Sequence, residues 1–137
     1  MSDEQTTAII EQAYENFKNG NVPDLLALFA ADATWVYPDI AGVAFSGNRT
    51  GRELIGEFFA SLNDAAESLK FDPQVFTATG AKVIAQGSYT FRTRDGDREY
   101  TCDFAHFFEV ANGEIRAFQE YTDTAAVLQA YQKAAVV

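Results

Sequence analysis

The stretch Val83–Thr122, VIAQGSYTFRTRDGDREYTCDFAHFFEVANGEIRAFQEYT, decides the fold. Three runs of alternating, aromatic-rich sequence are parted by two turn signals, Asp95-Gly96 and Asn112-Gly113. A type I′ turn needs positive φ at both central residues, a conformation that Asn or Asp followed by Gly accepts at little cost. The two turns predict a three-stranded antiparallel meander in which Arg94 stands opposite Asp97 and Ala111 opposite Glu114. Counted outward in that register, one face carries Gln86, Ser88, Arg92, Glu99, Asp103, Ala105, Phe107, Arg116, Phe118, Glu120 and Thr122. The other carries Ala85, Tyr89, Phe91, Tyr100, Cys102, Phe104, His106, Phe108, Gln119 and Tyr121. This second face is almost wholly apolar and aromatic and must be buried, whereas the first mixes aromatics with carboxylates. A β-bulge in either strand would exchange the faces.

Upstream, Ser2 with Gln5 is a capping-box pattern, and Ile9, Ile10, Ala13, Tyr14 and Phe17 follow at helical spacing until Gly20. Pro23 near a helix start precedes Leu25, Leu26, Leu28 and Phe29, a second and shorter helix. Thr34 to Tyr37 reads as a strand ended by Pro38, and Trp35 and Tyr37 alternate onto one side of it. Thr50 with Glu53 repeats the capping-box pattern before the stripe Leu54, Ile55, Phe58, Phe59 and Leu62. Leu69 to Thr79 is a strand interrupted by Asp72-Pro73, and after the meander Asp123 opens a last helix with Val127 and Tyr131.

Helices followed by a run of antiparallel strands predict an α+β fold, with amphipathic helices packed on one side of a curved sheet. Those helices can cover only one sheet face. A homodimer through the aromatic face is therefore expected.

The chain has 137 residues, 47% of them hydrophobic and 14% aromatic, which suffices for a core and predicts one domain spanning residues 1–137. The net charge is -10, with no cluster of Lys or Arg, so nucleic acid and anionic membranes are poor partners. A single Cys102 forbids an internal disulfide, and a single His106 leaves no histidine-cluster metal site. No run approaches the roughly 18 apolar residues of a membrane span, and the N-terminus lacks a signal core; a cytoplasmic protein needing no cofactor is expected.

The element order, with Ala31-Asp32-Ala33-Thr34, Gly51-Arg52-Glu53-Leu54-Ile55, Asn112-Gly113-Glu114-Ile115 and Glu120-Tyr121-Thr122-Asp123-Thr124, resembles the nuclear transport factor 2-like superfamily over essentially the whole chain. Within it the chain is most similar to SnoaL-like and ketosteroid isomerase-related proteins. The resemblance implies a cone-shaped, cystatin-like sheet with three to four helices on its concave face, a deep apolar cavity between them, and dimers that pair convex faces. A ketosteroid isomerase's pocket position on the second meander strand falls on Ala105, and the pocket acid of a limonene epoxide hydrolase falls on Glu120. The isomerase base, tyrosine and protonated aspartate fall on Tyr37, Ala13 (beside Tyr14) and Ala105, so that constellation is not intact. The hydrolase's remaining two ionisable positions fall on Ser88 and Gln86, so only Glu120 survives. SnoaL-type cyclases are similar at Asp123, which the resemblance makes a base.

Glu120 is the first candidate for proton transfer. In the expected register it faces Ala105 and lies diagonal to Asp103, which puts two carboxylates within roughly 7–8 Å on one face. Burial and mutual repulsion there would create a general acid or base, although solvated carboxylates paired with Arg92 or Arg116 are an equal alternative. Asp123 fits a helix cap better than a base. His106, on the aromatic face beside Ala85 and Gln119, is expected to be an interface histidine, and Cys102 inert packing. Tyr37 would donate a hydrogen bond to developing oxyanion charge. Tyr14, Trp35, Phe59, Phe107 and Phe118 would enclose a hydrophobic small molecule, with Gln86, Ser88 and Arg92 supplying polar contacts. The expected activity is cofactor-free acid–base chemistry of the isomerase, dehydratase, cyclase or hydrolase type, against a non-catalytic binding or dimerisation module.

Overall fold

The computed structural model describes residues 2–132. Helices α1 (Asp3–Lys18) and α2 (Val22–Ala27) lead into strand β1 (Phe29–Val36), the two-residue β2 (Arg49–Thr50) and helix α3 (Arg52–Ala65). Strands β3 (Ala66–Thr79), β4 (Lys82–Thr93), β5 (Glu99–Ala111) and β6 (Glu114–Thr122) follow, and α4 (Thr124–Tyr131) closes the series. The sheet has the order β2-β1-β6-β5-β4-β3, with β1 parallel to β6 and every other pair antiparallel. This is the expected α+β architecture.

Local chemistry fixes most element ends where the sequence indicates. Ser2 and Gln5 form the reciprocal capping box of α1, and the Asp123 side chain accepts from the Ala126 N–H at the start of α4. No sequence signal marks the short β2, β1 ends at Val36 and not Tyr37, β3 begins at Ala66 and not Leu69, and two helix boundaries also differ. Phe29 opens β1 instead of extending α2, because residues 29–36 pair with β6 and β2. Helix α3 starts from Gly51, at φ 96°, without a side-chain cap, so the pattern Thr50–Glu53 is not used as a box.

The first hairpin keeps the expected register along its whole length, from Lys82 opposite Glu109 to Arg92 opposite Glu99. Its turn is looser than type I′: positive φ falls on Gly96 and Asp97, and the Thr93 hydroxyl accepts from Arg98 N–H and donates to the Asp95 carbonyl. At the second turn Asn112 and Gly113 both have positive φ, as expected.

Beyond that turn the register changes. Ile115 pairs with Val110, but Ala117 pairs with Glu109, so Arg116 is an extra residue on β6. From the bulge onward β6 is inverted relative to the alternation counted from the turn. Phe118 and Glu120 therefore join the aromatic face and are buried, whereas Tyr121 turns outward and is 55% exposed.

The aromatic face is not a dimer surface, which corrects the expectation drawn from the meander. Helices α1 and α3 cover it within one chain. The Tyr14 ring lies against Phe108 and Phe71, and Phe58 and Phe59 lie against Trp35. The opposite, mixed face is the outer surface of the sheet, where Thr90 and Thr101 share a hydrogen bond and Phe107 packs on Tyr121. Strand β3 carries two further bulges, at Leu69 and Gln74. Opposite the second, the backbone crowds Gly87 so closely that a Cβ there would stand 2.2 Å from the Asp72 carbonyl oxygen.

Candidate active site

Between the helices and the inner sheet face lies a cavity of about 70 Å³, partly open to the surface and lined mostly by aromatic side chains. The polar groups at its wall come from α1, β1 and the three meander strands. Strand β5 presents His106 inward, with Phe104 stacked on its imidazole at 4.1 Å between ring centroids. Strand β6 presents Glu120 directly opposite, because the Arg116 bulge has inverted the strand.

These groups form one buried chain of hydrogen bonds. His106 Nε2 lies 2.8 Å from Glu120 Oε1, and His106 Nδ1 lies 2.7 Å from the Tyr14 hydroxyl. The second Glu120 oxygen accepts from the Tyr89 hydroxyl at 3.0 Å. Thr122 Oγ1 lies beside this link and gives its single proton either to the Tyr89 oxygen at 2.6 Å or to the Asp103 carbonyl at 3.1 Å. His106 and Glu120 are 4% and 8% exposed, so water does not screen the pair.

Burial, and then the Glu120 carboxylate, push the phenols of Tyr14, Tyr37 and Tyr89 far above the ordinary tyrosine range. All three are hydroxyl donors at neutral pH. With Tyr14 donating to Nδ1, the remaining imidazole proton sits on Nε2 and is donated to Glu120, an assignment made from the hydrogen bonds. The Tyr14 oxygen keeps its lone pairs, so the arrangement can pass a proton between Tyr14 and an imidazole held by a carboxylate. The logic is that of a nucleophile–histidine–carboxylate triad with a phenol in the first place.

The structure scatters the remaining sequence candidates. Tyr37, Tyr14, Trp35, Phe59 and Phe118 line the cavity, and the Tyr37 and Tyr89 hydroxyls are neighbours. Trp35 stacks on Phe118 at 3.8 Å between centroids, and its indole N–H has no hydrogen-bond partner among the described residues. The Asp103 side chain points away from the cavity on the exposed outer strand face; only its backbone carbonyl touches the network. Gln86, Ser88, Arg92 and Phe107 share that outer face because the first hairpin is in register and the buried face is the other one. There Arg92 pairs with Glu67 at 2.9 Å. Asp123 is the exposed cap of α4.

His106 is the group that the sequence reading placed elsewhere: it stands in the cavity wall, not at an interface. One signal pointed to Glu120 joining it on that face. Ile115 and Phe118 are three residues apart, and two apolar residues of a strand reach the same face at that spacing only across a bulge. Cys102 is buried, 3.8 Å from the Asp123 carbonyl, with its thiol pushed up by desolvation. Among the described residues no cluster of His, Cys, Asp and Glu is suited to a metal ion. No helix there is long and apolar enough to cross a membrane.

The α+β fold matches known proteins over nearly all of its length. The chain belongs to the SnoaL-like domain family, whose profile matches residues 10–118. A nuclear transport factor 2-like protein from Burkholderia thailandensis is similar at 25% identity and a TM-score of 0.85, over 97% of this chain and 100% of that one. A putative polyketide cyclase from Xanthomonas campestris pv. campestris is 21% identical with a TM-score of 0.81, over 95% and 98% of the two chains. TerC, crystallised with polyporic acid, is also 21% identical with a TM-score of 0.81, over 94% and 99%. By sequence alone the chain matches none of the curated proteins.

Proposed function

We propose that this protein is a cofactor-free acid–base enzyme that relocates a proton on a small, largely apolar molecule bearing a carbonyl or hydroxyl group. That step is common to isomerisation, dehydration and cyclisation. The observation that carries the reading is the buried chain Tyr14–His106–Glu120, with links of 2.7 and 2.8 Å in an aromatic cavity. The Tyr14 hydroxyl takes a proton from substrate carbon or oxygen as its own proton passes to His106 Nδ1. Glu120 stabilises the resulting imidazolium, and reversal of the same steps returns the proton at a second substrate position. Tyr37 donates to charge that develops on the substrate oxygen. The putative polyketide cyclase and the complex with polyporic acid among the structural relatives support a small organic ligand.

The test is deuterium incorporation into a panel of aryl ketones in heavy water, followed by NMR. Wild-type protein is expected to accelerate exchange at the carbon next to the carbonyl. Glu120→Gln and His106→Gln are expected to reduce that rate by about 100-fold or more. Exchange that is equal in wild type and both variants would overturn the proposal.

A second reading, a non-catalytic binding module, is favoured by the small free volume and by the mutual satisfaction of the network's hydrogen bonds. Its outcome is ligand binding without exchange. As for assembly, the homodimer is proposed through the outer sheet face around Phe107 and Tyr121, which light scattering of wild type and Tyr121→Glu would test.

A further inference from the structure

The inner cavity is smaller than the ligand it is proposed to hold. At about 70 Å³ it has less than half the room of the roughly 150 Å³ cavity that accepts benzene in a well-studied lysozyme variant. A ligand must therefore displace part of the wall. A second, outer groove of about 460 Å³ lies between the end of α1, the start of α2, α3 and strands β3 and β4. The two spaces share Phe17, Phe59, Leu62 and Phe91 as common wall, with the Phe17 and Phe59 rings 6.0 Å apart between centroids. Phe17 and Leu62 are only half-buried, so this is the partition with room to move outward.

The groove's chemistry differs from that of the cavity. Lys18 is its one charged lining residue among those described, joined by the polar side chains of Asn63 and Ser68. Lys18 has no ion-pair partner among the described residues, and it stands on a chain of net charge -10. A cation left free at an aromatic entrance complements an anionic group attached to an apolar ring system.

We infer that the groove is the mouth of the cavity, that Phe17 and Phe59 are its gate, and that the ligand is an aromatic anion whose charged end stays at Lys18 while its ring system passes inward. This rests on the proposed function in one respect, that the inner cavity is where chemistry occurs. The groove accounts for how a molecule larger than the inner space is held: opening the gate merges the two volumes, leaving the acidic wall at Glu120 to the uncharged end.

The experiment uses two fluorescent probes of similar ring size, 1-anilinonaphthalene-8-sulfonate and the uncharged N-phenyl-1-naphthylamine, with intact protein whose cooperative thermal unfolding is verified. Wild type is expected to bind both saturably. Lys18→Gln is expected to weaken the sulfonate about two- to fivefold, the effect of one exposed charge, and leave the neutral probe unchanged. Ala60→Trp, at an exposed groove position outside the inner cavity, is expected to block both probes without loss of stability. Equal effects of Lys18→Gln on both probes, or undiminished binding in Ala60→Trp, overturn the inference. Probe binding is independent of turnover: loss of deuterium exchange with the probe results intact removes only the proposed function, and the reverse removes only the mouth.

Discussion

His106 and Glu120 face one another directly across β5 and β6, with Nε2 and Oε1 2.8 Å apart, and both are nearly sealed from water. In such surroundings removing one partner leaves the other's polar atom unsatisfied, which costs more than the bond itself contributes. A double-mutant cycle on His106→Gln and Glu120→Gln is expected to give a coupling of about 1–3 kcal/mol in denaturant unfolding. Additive effects would mean the two side chains do not act as a pair.

Gly87 has no room for a methyl group. A Cβ would meet the Asp72 carbonyl oxygen at 2.2 Å and Pro73 Cα at 2.7 Å, both backbone atoms that cannot rotate away. Gly87→Ala is expected to destabilise by about 2–4 kcal/mol, as overpacking joined to a forced backbone shift does. Calorimetry reads the loss. An unchanged Tm would show that β3 is not held against β4 at that point.

The alkaline limit of stability follows from the tyrosines. Burial raises Tyr14, Tyr37, Tyr89 and Tyr100 above the value of an unfolded phenol, about 10. Below that pH both states keep the proton and the stabilisation is complete. Above it only the unfolded chain ionises readily, so stability falls as pH rises from about 10 toward the folded values. Tyrosinate absorbance from these residues is expected to appear together with loss of circular dichroism. Their titration with the fold intact would contradict the buried placement.

Two carboxylates that drew a catalytic reading from the sequence have structural placements. Asp123→Ala removes the bond to the Ala126 N–H and is expected to cost about 1 kcal/mol in stability. Asp103→Asn, on the exposed outer face, is expected to change neither stability nor deuterium exchange. A large loss of exchange in either variant would return that carboxylate to the chemistry.

The order of elements was legible because it depends on local signals: the Ser2–Gln5 box, the stripe through Ile55 and Phe59, and the turns at Gly96 and Gly113. The strand partners of the first hairpin were legible for the same reason, since register propagates from a turn by counting. Glu120 and Tyr37 could be nominated as candidates, and Trp35 and Tyr37 share the side expected of them. The site's composition was not legible, because it turns on one residue. Counting from Asn112-Gly113 through Arg116 without a bulge sends Glu120 outward and leaves His106 with Gln119. The spacing of Ile115 and Phe118 carried the only local trace, and sheet packing decided between the two phases. The choice of which face met the helices was likewise tertiary: both faces held aromatics, and only the covering by Tyr14, Phe58 and Phe59 separated core from surface.

The extra residue at Arg116 works as a phase shifter along β6. On the turn side of it the strand is read in one frame, and on the Glu120 side in the other. Loss of a single codon there would leave every other residue in place and still carry the acid from the interior to the exterior. In this sheet the composition of the inner wall is stored in the parity of a count: one residue more or less in that strand would exchange a buried carboxylate for a solvated one without any substitution at Glu120 or His106.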